Sequence, residues 1–567
     1  MKIHKIEISK FRSIEKAAFE MIDILGIVGQ NNSGKTAILR ALNSFFNPTL
    51  EINSYINQSN LYSTNRAVPR ITITFNQVPN KPIYTPFINN GNIVIKQEFS
   101  RRKLDYFVLN NGNFEPATEA FENMLLSDVQ FVLIPTERTS NLIGQTDNSV
   151  LAKLLNSFFA KHTAKRDTLT PKVKSAFEYL QNNALKKVVS GIEGKYLSNK
   201  GFEIKIDSSK QISYDLFIND LDIRIVEDEK EFNLKECGSG IQSLIAIAIH
   251  RYLAELNHTN FIIGVEEPEI NLHPQGQKEL IYSLLDEVAN NSIQILFTTH
   301  STVLIDQLDH TKIILVRKVS DTRRKFKSRI LQLRTDFWVN YGLQRLQYDK
   351  FHKFKNSEFF FANHVLITES STDSEIFRVL LDNKGVKFER KGISVLELGG
   401  ITSLKYAFYL LRDLEIPKTI IVDKDFFFEY QNGSKDLSRY GSGFFNYRNV
   451  YRNEPLINEI FTNAVERNTL QGLLTSNNSR ALDITIKYDL IFMKYNLEMD
   501  LVASRIAQNL IFDFLTIPVA NRTTLHLLSN NEKALKRPDL LTHVITNLAP
   551  RNLPNSYKRL IRRMKEL

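Results

Sequence analysis

The sequence predicts an α/β protein built in two successive parts, and three observations carry that prediction. An apolar run, Ile22 to Val28, meets the loop Gly29–Gln30–Asn31–Asn32–Ser33–Gly34–Lys35–Thr36 and then a helix-forming stretch, Ala37 to Leu42. A second apolar run, Phe261 to Val265, ends in Glu266–Glu267–Pro268. From about residue 361, strand-like and helix-like stretches alternate, with Glu369, Asp423 and Asp425 at the ends of strand-like ones. Alternation of that kind implies parallel sheets whose ligands sit at the carboxyl ends of the strands.

Length and composition set the bounds. A chain of 567 residues exceeds what one core supports and implies two or three domains. A net charge of +11, from 73 Lys and Arg against 62 Asp and Glu, favours a polyanionic partner and is compatible with nucleic acid. The single cysteine, Cys237, excludes an internal disulfide framework and a thiolate zinc cluster, and suits a reducing cytoplasm. Ile3, Ile6 and Ile8 among charges read as a strand rather than a signal peptide. No run of about 20 apolar residues is present to span a membrane.

In chain order, residues 2–28 read as two strands joined by a turn at Phe11–Arg12–Ser13. Arg12 is either a solvated turn residue or a second contact to whatever the loop binds. That loop has the order strand, glycine-bounded loop, helix that cradles a nucleotide phosphate. Gly29 and Gly34 let backbone approach the anion, and Asn31, Asn32, Ser33 and the helix start present N–H groups to it. Lys35 reaches the outer phosphates of ATP, and Thr36 is placed to ligate Mg²⁺. Residues 71–75, 93–96 and 129–134 follow as strands. From about 145 to 195 a helical insertion carries Lys161, His162, Lys165, Arg166, Lys172 and Lys174. It is a dimerisation arm, a DNA-contacting surface or a solvated hairpin, and the pattern does not choose. Residues 202–234 return to strands.

Cys237–Gly238–Ser239–Gly240–Ile241–Gln242 before a helix forms an anion-binding nest or an ordinary glycine turn and cap. In the strand that follows, Glu266 is placed to bind Mg²⁺ and Glu267 to polarise the attacking water. Neighbours on a strand face opposite ways, so the strand must end or bend there, as Pro268 favours. Ile293 to Thr298 is a buried strand closing on Thr299–His300, and His300 is placed to bond the γ-phosphate or the water.

This ordered series resembles the ABC-type ATPases of the SMC and RecF kind. The resemblance implies a phosphate loop at Gly29–Thr36, a signature at Gly238–Gln242 including Ser239, Gly240 and Gln242, a Walker B pair at Glu266 and Glu267, a D-loop near His273 and a switch histidine at His300. The signature departs from L-S-G-G-Q. In that family the signature of one head closes on the nucleotide of another, so the resemblance implies a homodimer or higher homo-oligomer. No long heptad-bearing coiled coil separates the motifs, which sets the chain apart from SMC proteins proper. The ATPase part is expected over 1–350.

Residues 310–349 hold Lys318, Arg323, Arg324, Lys325, Lys327 and Arg329, a basic hairpin for phosphate or a solvated face. In the second part, expected over 361–567, strand 365–368 ends in Glu369 and strand 419–422 ends in Asp423–Lys424–Asp425. In extended backbone Asp423 and Asp425 face the same side. With Glu369 they offer the hard oxygen ligands that Mg²⁺ takes.

This unit resembles a Toprim domain, and the two-part order resembles the OLD (overcoming lysogenization defect) nucleases, including the Gabija-type GajA-like and retron-associated kinds. The resemblance implies Asp373, at the family's spacing from Glu369, as a supporting acid, with Glu375 ranking below it. Ser370 stands where the family has glycine. Asn496–Leu497–Glu498–Met499–Asp500–Leu501 resembles a downstream element whose acids complete the metal site, which assigns Glu498 and, more weakly, Asp500. The family's lysine maps to Lys536. A helical region closes the chain, with a basic tail.

The resemblance implies an ATP-regulated, Mg²⁺- or Mn²⁺-dependent DNA endonuclease, nicking or cutting both strands, in bacterial defence against phage. It also implies a partner, either a helicase or a reverse transcriptase with its non-coding RNA and cDNA. A RecF-like repair ATPase that binds DNA without cutting and an ATP-gated scaffold for a toxic partner remain as alternatives. The carboxylates weigh against the first, since a binding surface gains nothing from repelling phosphate. No tyrosine stands out as a topoisomerase nucleophile.

Overall fold

The computed structural model describes residues 1–49, 51, 68–100, 103–136, 150–192, 224–227, 230–233, 260–290, 293–321, 325–345 and 357–567, with 242, 245, 248, 249, 252, 348, 349 and 352 as isolated positions. Packing divides the chain into two units, Met1–Ile330 and Leu331–Leu567.

The strands of the first unit are β1 (Lys2–Phe11), β2 (Ile14–Glu20), β3 (Ile24–Val28), β4 (Arg70–Asn76), β5 (Ile93–Ser100), β6 (Lys103–Asn110), β7 (Asn113–Pro116), β8 (Val129–Ile134), β9 (Arg224–Glu227), β10 (Lys230–Asn233), β11 (Asn260–Glu266), β12 (Gln294–Thr298), β13 (Ile313–Asp321) and β14 (Lys325–Gln332). β9 and β10 form an antiparallel pair. The others make one sheet in the order β7-β6-β5-β4-β1-β2-β14-β13-β3-β12-β11-β8. Its two halves differ in sequence pattern for a physical reason. β3, β11 and β12 lie in the parallel half and are buried on both faces, so they read as unbroken apolar runs. β4 and β5 lie in the antiparallel half and alternate, burying one face.

β1 breaks strict alternation, since Ile3 and Ile6 are an odd number apart. A register shift between Ile3 and Lys5 against β4 absorbs the extra residue, and Ile3, Ile6 and Ile8 all reach the core. Helix Lys35–Phe46 packs Ile38, Ala41, Leu42 and Phe45 into the same core. Burying each large side chain contributes roughly 1.5–3 kcal/mol. The expected insertion is helical over its described part, with helices Val150–Lys161, Thr163–Leu180 and Lys186–Ile192. The basic stretch forms β13 and β14, where Lys327 pairs with Glu15 at 2.7 Å; Arg323 and Arg324 lie outside the described residues.

The second unit holds β15 (His364–Thr368), β16 (Ile393–Glu397), β17 (Lys418–Val422), the antiparallel pair β18 (Phe428–Tyr430) and β19 (Tyr447–Tyr451), and β20 (Leu490–Phe492). Its main sheet runs β16-β15-β17-β20, all parallel. Helices Ser371–Asn383 and Leu404–Asp413 lie on the chain between its first three strands, as parallel pairing requires. The chain leaves β15 for β16 on one side and then returns to β17 on the other, so a topological switch point opens between the ends of β15 and β17. The helical C-terminal region ends in Asn555–Glu566, which buries Tyr557, Leu560 and Met564. Part of its basic charge is internally paired, Arg563 with Asp489 at 2.5 Å.

Candidate functional site

The loop after β3 occupies the carboxyl end of the parallel half-sheet. Glu266 is level with Thr298, and Thr298 with Ile27, so β11, β12 and β3 bring their tips to one place. Gly29 and Gly34 adopt φ of 145° and 107°. A Cβ on Gly29 would lie 2.1 Å from the Val316 carbonyl oxygen, and one on Gly34 would lie 2.2 Å from Ser328 Oγ. Ser328 Oγ also bonds Ser13 Oγ at 2.6 Å and the Ser33 carbonyl. The turn carrying Arg12, itself at φ 49°, is thereby pinned against the loop. Ser13 and Ser328 escaped the sequence reading because they meet across 315 residues of chain.

Lys35 is buried and spends its ammonium on the carbonyls of Gly29 and Gln30, both at 3.1 Å. Burial pulls its pKa down to about 8, against the opposing pull of Glu267 and Glu269. Asn31, Asn32 and Thr36 are exposed at the loop and helix start, and Ser33 is buried beneath them. β11 ends at Glu266, and the chain turns at Glu267 with φ 44°. Glu266 lies 3.6 Å from Arg40 Nε and accepts from Thr136 N and Oγ1 at 3.4 Å. Glu267 Oε1 stands 3.7 Å from His300 Nε2. Burial and the Lys35 charge lower the His300 pKa. Glu269, absent from the sequence reading, accepts from Thr299 Oγ1 at 2.8 Å and the His300 N–H at 2.7 Å. Gln242 is buried in a helical position, whereas Ser239 and Gly240 lie outside the described residues.

In the second unit the acids meet at the switch point. Ligand atoms of Glu369, Asp423 and Asp425 lie within 4.8 Å of one another. Glu369 follows β15 and Asp423 follows β17. Asp425 joins them differently from the expectation of extended backbone: β17 ends at Val422, and a 3₁₀ turn, Lys424–Phe426, folds Asp425 back. Asp425 Oδ2 accepts from the Tyr430 hydroxyl at 3.3 Å. Its Oδ1 and Glu369 Oε2 are buried without a hydrogen-bond partner among the described residues.

A cavity of about 240 Å³ opens on this cluster, and Glu369, Asp373, Asp423, Glu498, Lys435 and Lys536 line it. Ser370 and Asp373 form a capping box at the start of helix Ser371–Asn383, which fixes the Asp373 carboxylate at the cavity wall. Asn496 caps the helix Leu497–Val502 and donates to Glu498 Oε1 at 3.0 Å. Burial first, then Asp373, Glu369, Asp425 and Glu498, drive the Asp423 pKa well above its ordinary value. Burial, Asp425 and Asp373 push Glu369 up to about 7. Carboxyl groups crowded so closely that they resist ionisation, with two orphaned oxygens among them, fit a divalent cation held by hard oxygen ligands.

Two residues of the expected set stand apart. Asp500 turns away from the cavity: its carboxylate accepts from Lys494 N and Tyr495 N, both at 2.8 Å, and from Ser556 Oγ at 3.2 Å. Glu375 is exposed on helix Ser371–Asn383 and is not among the cavity residues. Lys435 lines the cavity and was missed; its only local signal is the turn Gly433–Ser434 before it.

Fold and site together define a phosphate-loop ATPase unit followed by a parallel α/β unit with an acid cluster at its switch point. The chain belongs to the AAA ATPase domain family, which matches residues 1–126 and 120–305. Behind it, residues 360–425 match the TOPRIM domain of the overcoming lysogenization defect protein-like family. The chain is similar to the OLD nuclease of Thermus scotoductus, 24% identical over 454 residues that cover 75% of this chain and 82% of that one. It is similar to the Old nuclease of Escherichia phage P2, 21% identical over 473 residues, 75% of this chain and 78% of that one. It is 27% identical to the Endonuclease GajA of Bacillus cereus over 236 residues, 41% of this chain and 39% of that one. No helix among the described residues is long and apolar enough to cross a membrane.

Proposed function

We propose that the protein is an ATP-regulated, divalent-metal-dependent DNA endonuclease of the bacterial cytoplasm, acting in defence against phage. The observation that carries this reading is the convergence of ligand atoms of Glu369, Asp423 and Asp425 within 4.8 Å, in a unit that follows an ATPase unit along the chain. The relatives named as nucleases, similar across both parts of the chain, support it.

Glu369, Asp423 and Asp425 would hold Mg²⁺ or Mn²⁺, with Glu498 and Asp373 at the cavity wall. An ion bound there would supply the orientation of a water and the charge that the leaving oxygen of a phosphodiester needs. Tyr430 orients the Asp425 carboxylate through Oδ2 and leaves Oδ1 toward the cluster. Lys536 supplies a point charge for the scissile phosphate. In the first unit, Lys35, Thr36 and the loop N–H groups receive the phosphates and Mg²⁺ of ATP, and Arg12 flanks them through its bonded neighbour Ser13. Glu266 supports the ion, and Glu267 with His300 faces the attacking water. Two heads associating through their nucleotide sites would make the working form a homodimer or higher homo-oligomer. A helicase, or a reverse transcriptase with its non-coding RNA and cDNA, is the kind of partner that would restrain it.

The test is cleavage of supercoiled plasmid by the purified chain with Mg²⁺ or Mn²⁺, with and without ATP, beside Asp423→Ala. Metal-dependent cutting absent from the variant is the expected result. Equal cutting by the variant overturns the assignment of the cluster.

A further inference from the structure

The arm between β18 and β19 brings a second cation to the acid cavity. Its loop, residues 431–446, carries Lys435 to the wall of the cavity that Lys536 also lines. That loop is not a loose excursion. Arg439 Nη2 pairs with Glu532 Oε2 at 2.6 Å, and Glu532 opens the short helix that ends just before Lys536. One ion pair therefore ties the two lysine-bearing segments together. Arg439 also donates to the Gly443 carbonyl at 2.9 Å, and Phe444 stacks on Tyr495 with ring centroids 4.7 Å apart. Phe445 receives both cations of the loop over its ring, Arg439 at 4.6 Å and Lys435 at 5.0 Å.

Neither Lys435 nor Lys536 forms an ion pair within 4.0 Å among the described residues, although both line a cavity crowded with carboxylates. A lysine placed only to neutralise the acids would contact one, because an ammonium gains most at short range. These two instead make no direct contact with the acids, although the Lys435 charge favours the ionised form of Glu369; one is held over an aromatic ring and one is exposed, on segments braced against each other. That arrangement leaves both ammonium groups available to an anion entering the cavity.

We propose that Lys435 is a second phosphate-contacting residue of the nuclease site, gripping the DNA backbone together with Lys536 across the cavity mouth. The proposal rests on the nuclease reading of the cavity. The Arg439–Glu532 pair acts as a positioning tie that sets the spacing of the grip before DNA arrives, so little ordering remains to be done on binding.

The experiment separates this grip from cleavage. Binding of the full-length chain to a short DNA duplex is measured with Ca²⁺ over a series of KCl concentrations, for wild type, Lys435→Gln and Lys435→Arg. Loss of one phosphate contact makes the slope of log K against log salt shallower by about 0.9. Lys435→Gln is expected to show that change and Lys435→Arg to restore the wild-type slope. An unchanged slope in Lys435→Gln overturns the proposal, whether or not the wild type cuts DNA with Mg²⁺ or Mn²⁺. Cleavage with those metals bears on the nuclease reading by itself.

Discussion

Glu267 Oε1 lies 3.7 Å from His300 Nε2, and Glu267 reaches that position through a left-handed backbone turn, φ 44°, immediately past the end of its strand. A non-glycine residue in that region costs of order 1–3 kcal/mol unless its surroundings hold it. Here Glu267 N donates to the Thr298 carbonyl at 3.0 Å and lies 3.1 Å from Thr298 Oγ1. Glu267→Gln keeps the shape and removes the base. It is expected to bind ATP as the wild type does and to hydrolyse it roughly 10²-fold or more slowly, as loss of a general base predicts. Steady-state turnover beside nucleotide binding reads both; wild-type turnover removes Glu267 from the water-polarising role.

Lys35→Ala removes the ammonium that now bonds the Gly29 and Gln30 carbonyls. Nucleotide affinity is expected to fall below detection in a fluorescent-nucleotide titration. Plasmid cleavage without ATP is expected to persist, since the acid cluster lies in the other unit. Unchanged affinity would sink the phosphate-loop role.

Asp423 is surrounded by four other carboxylates that oppose its ionisation. Asp423→Ala is expected to lose DNA cleavage and keep ATP hydrolysis. Relieving that repulsion should also raise the melting temperature of the metal-free protein, while the stabilisation the wild type gains from added Mn²⁺ shrinks or disappears. Calorimetry with and without Mn²⁺ distinguishes a cation site from a merely crowded surface.

Asp500 gives the opposite result. Its three donors, Lys494 N, Tyr495 N and Ser556 Oγ, are left unsatisfied by Asp500→Ala, at about 1–3 kcal/mol each. A clear loss of stability with Mn²⁺ binding retained below the melting point is expected. Lost Mn²⁺ affinity in a folded variant would return Asp500 to the metal set.

His364 is buried at the start of β15, with Nε2 2.9 Å from Thr419 Oγ1. Burial, helped by Arg563 and Lys418, lowers its pKa to about 4. Between pH 6.5 and 4 the unfolded chain therefore takes up a proton that the folded chain refuses. Stability falls as pH drops through that window, by up to about 1.4 kcal/mol per unit, and levels off below it. Denaturant melts from pH 7 to 4 are expected to show a shallower slope for His364→Gln; an identical slope would mean that His364 titrates normally.

How much of this was legible in sequence follows from how local each signal is. β3 with its loop and helix, β11 with Glu266, and β15 and β17 with their terminal acids are each written in one contiguous stretch, so run length and loop chemistry identify them. The all-parallel order of the second sheet follows from the strand–helix alternation. Asp425 reaches the cluster by a 3₁₀ turn that no two-residue periodicity encodes. Asp500 and Glu498 share a helix first turn and look equivalent as letters. What separates them is the turn that aims Lys494 N and Tyr495 N at Asp500, together with Ser556, a residue far along the chain. Ser13, Ser328, Glu269 and Lys435 escaped for the same reason, because their partners are brought to them only by the fold.

The two bonds accepted by Glu269 Oε1 have a mechanical consequence. One oxygen holds both the hydroxyl of Thr299 and the backbone N–H of His300, so the tip of β12 and the segment after β11 are yoked there as well as at the Glu267–Thr298 bonds. Any displacement of His300 is passed directly to residues 268–273, whose end at Asn271 and His273 is exposed. That segment is thus a lever, with the half-buried His300 at one end and the exposed Asn271 and His273 at the other.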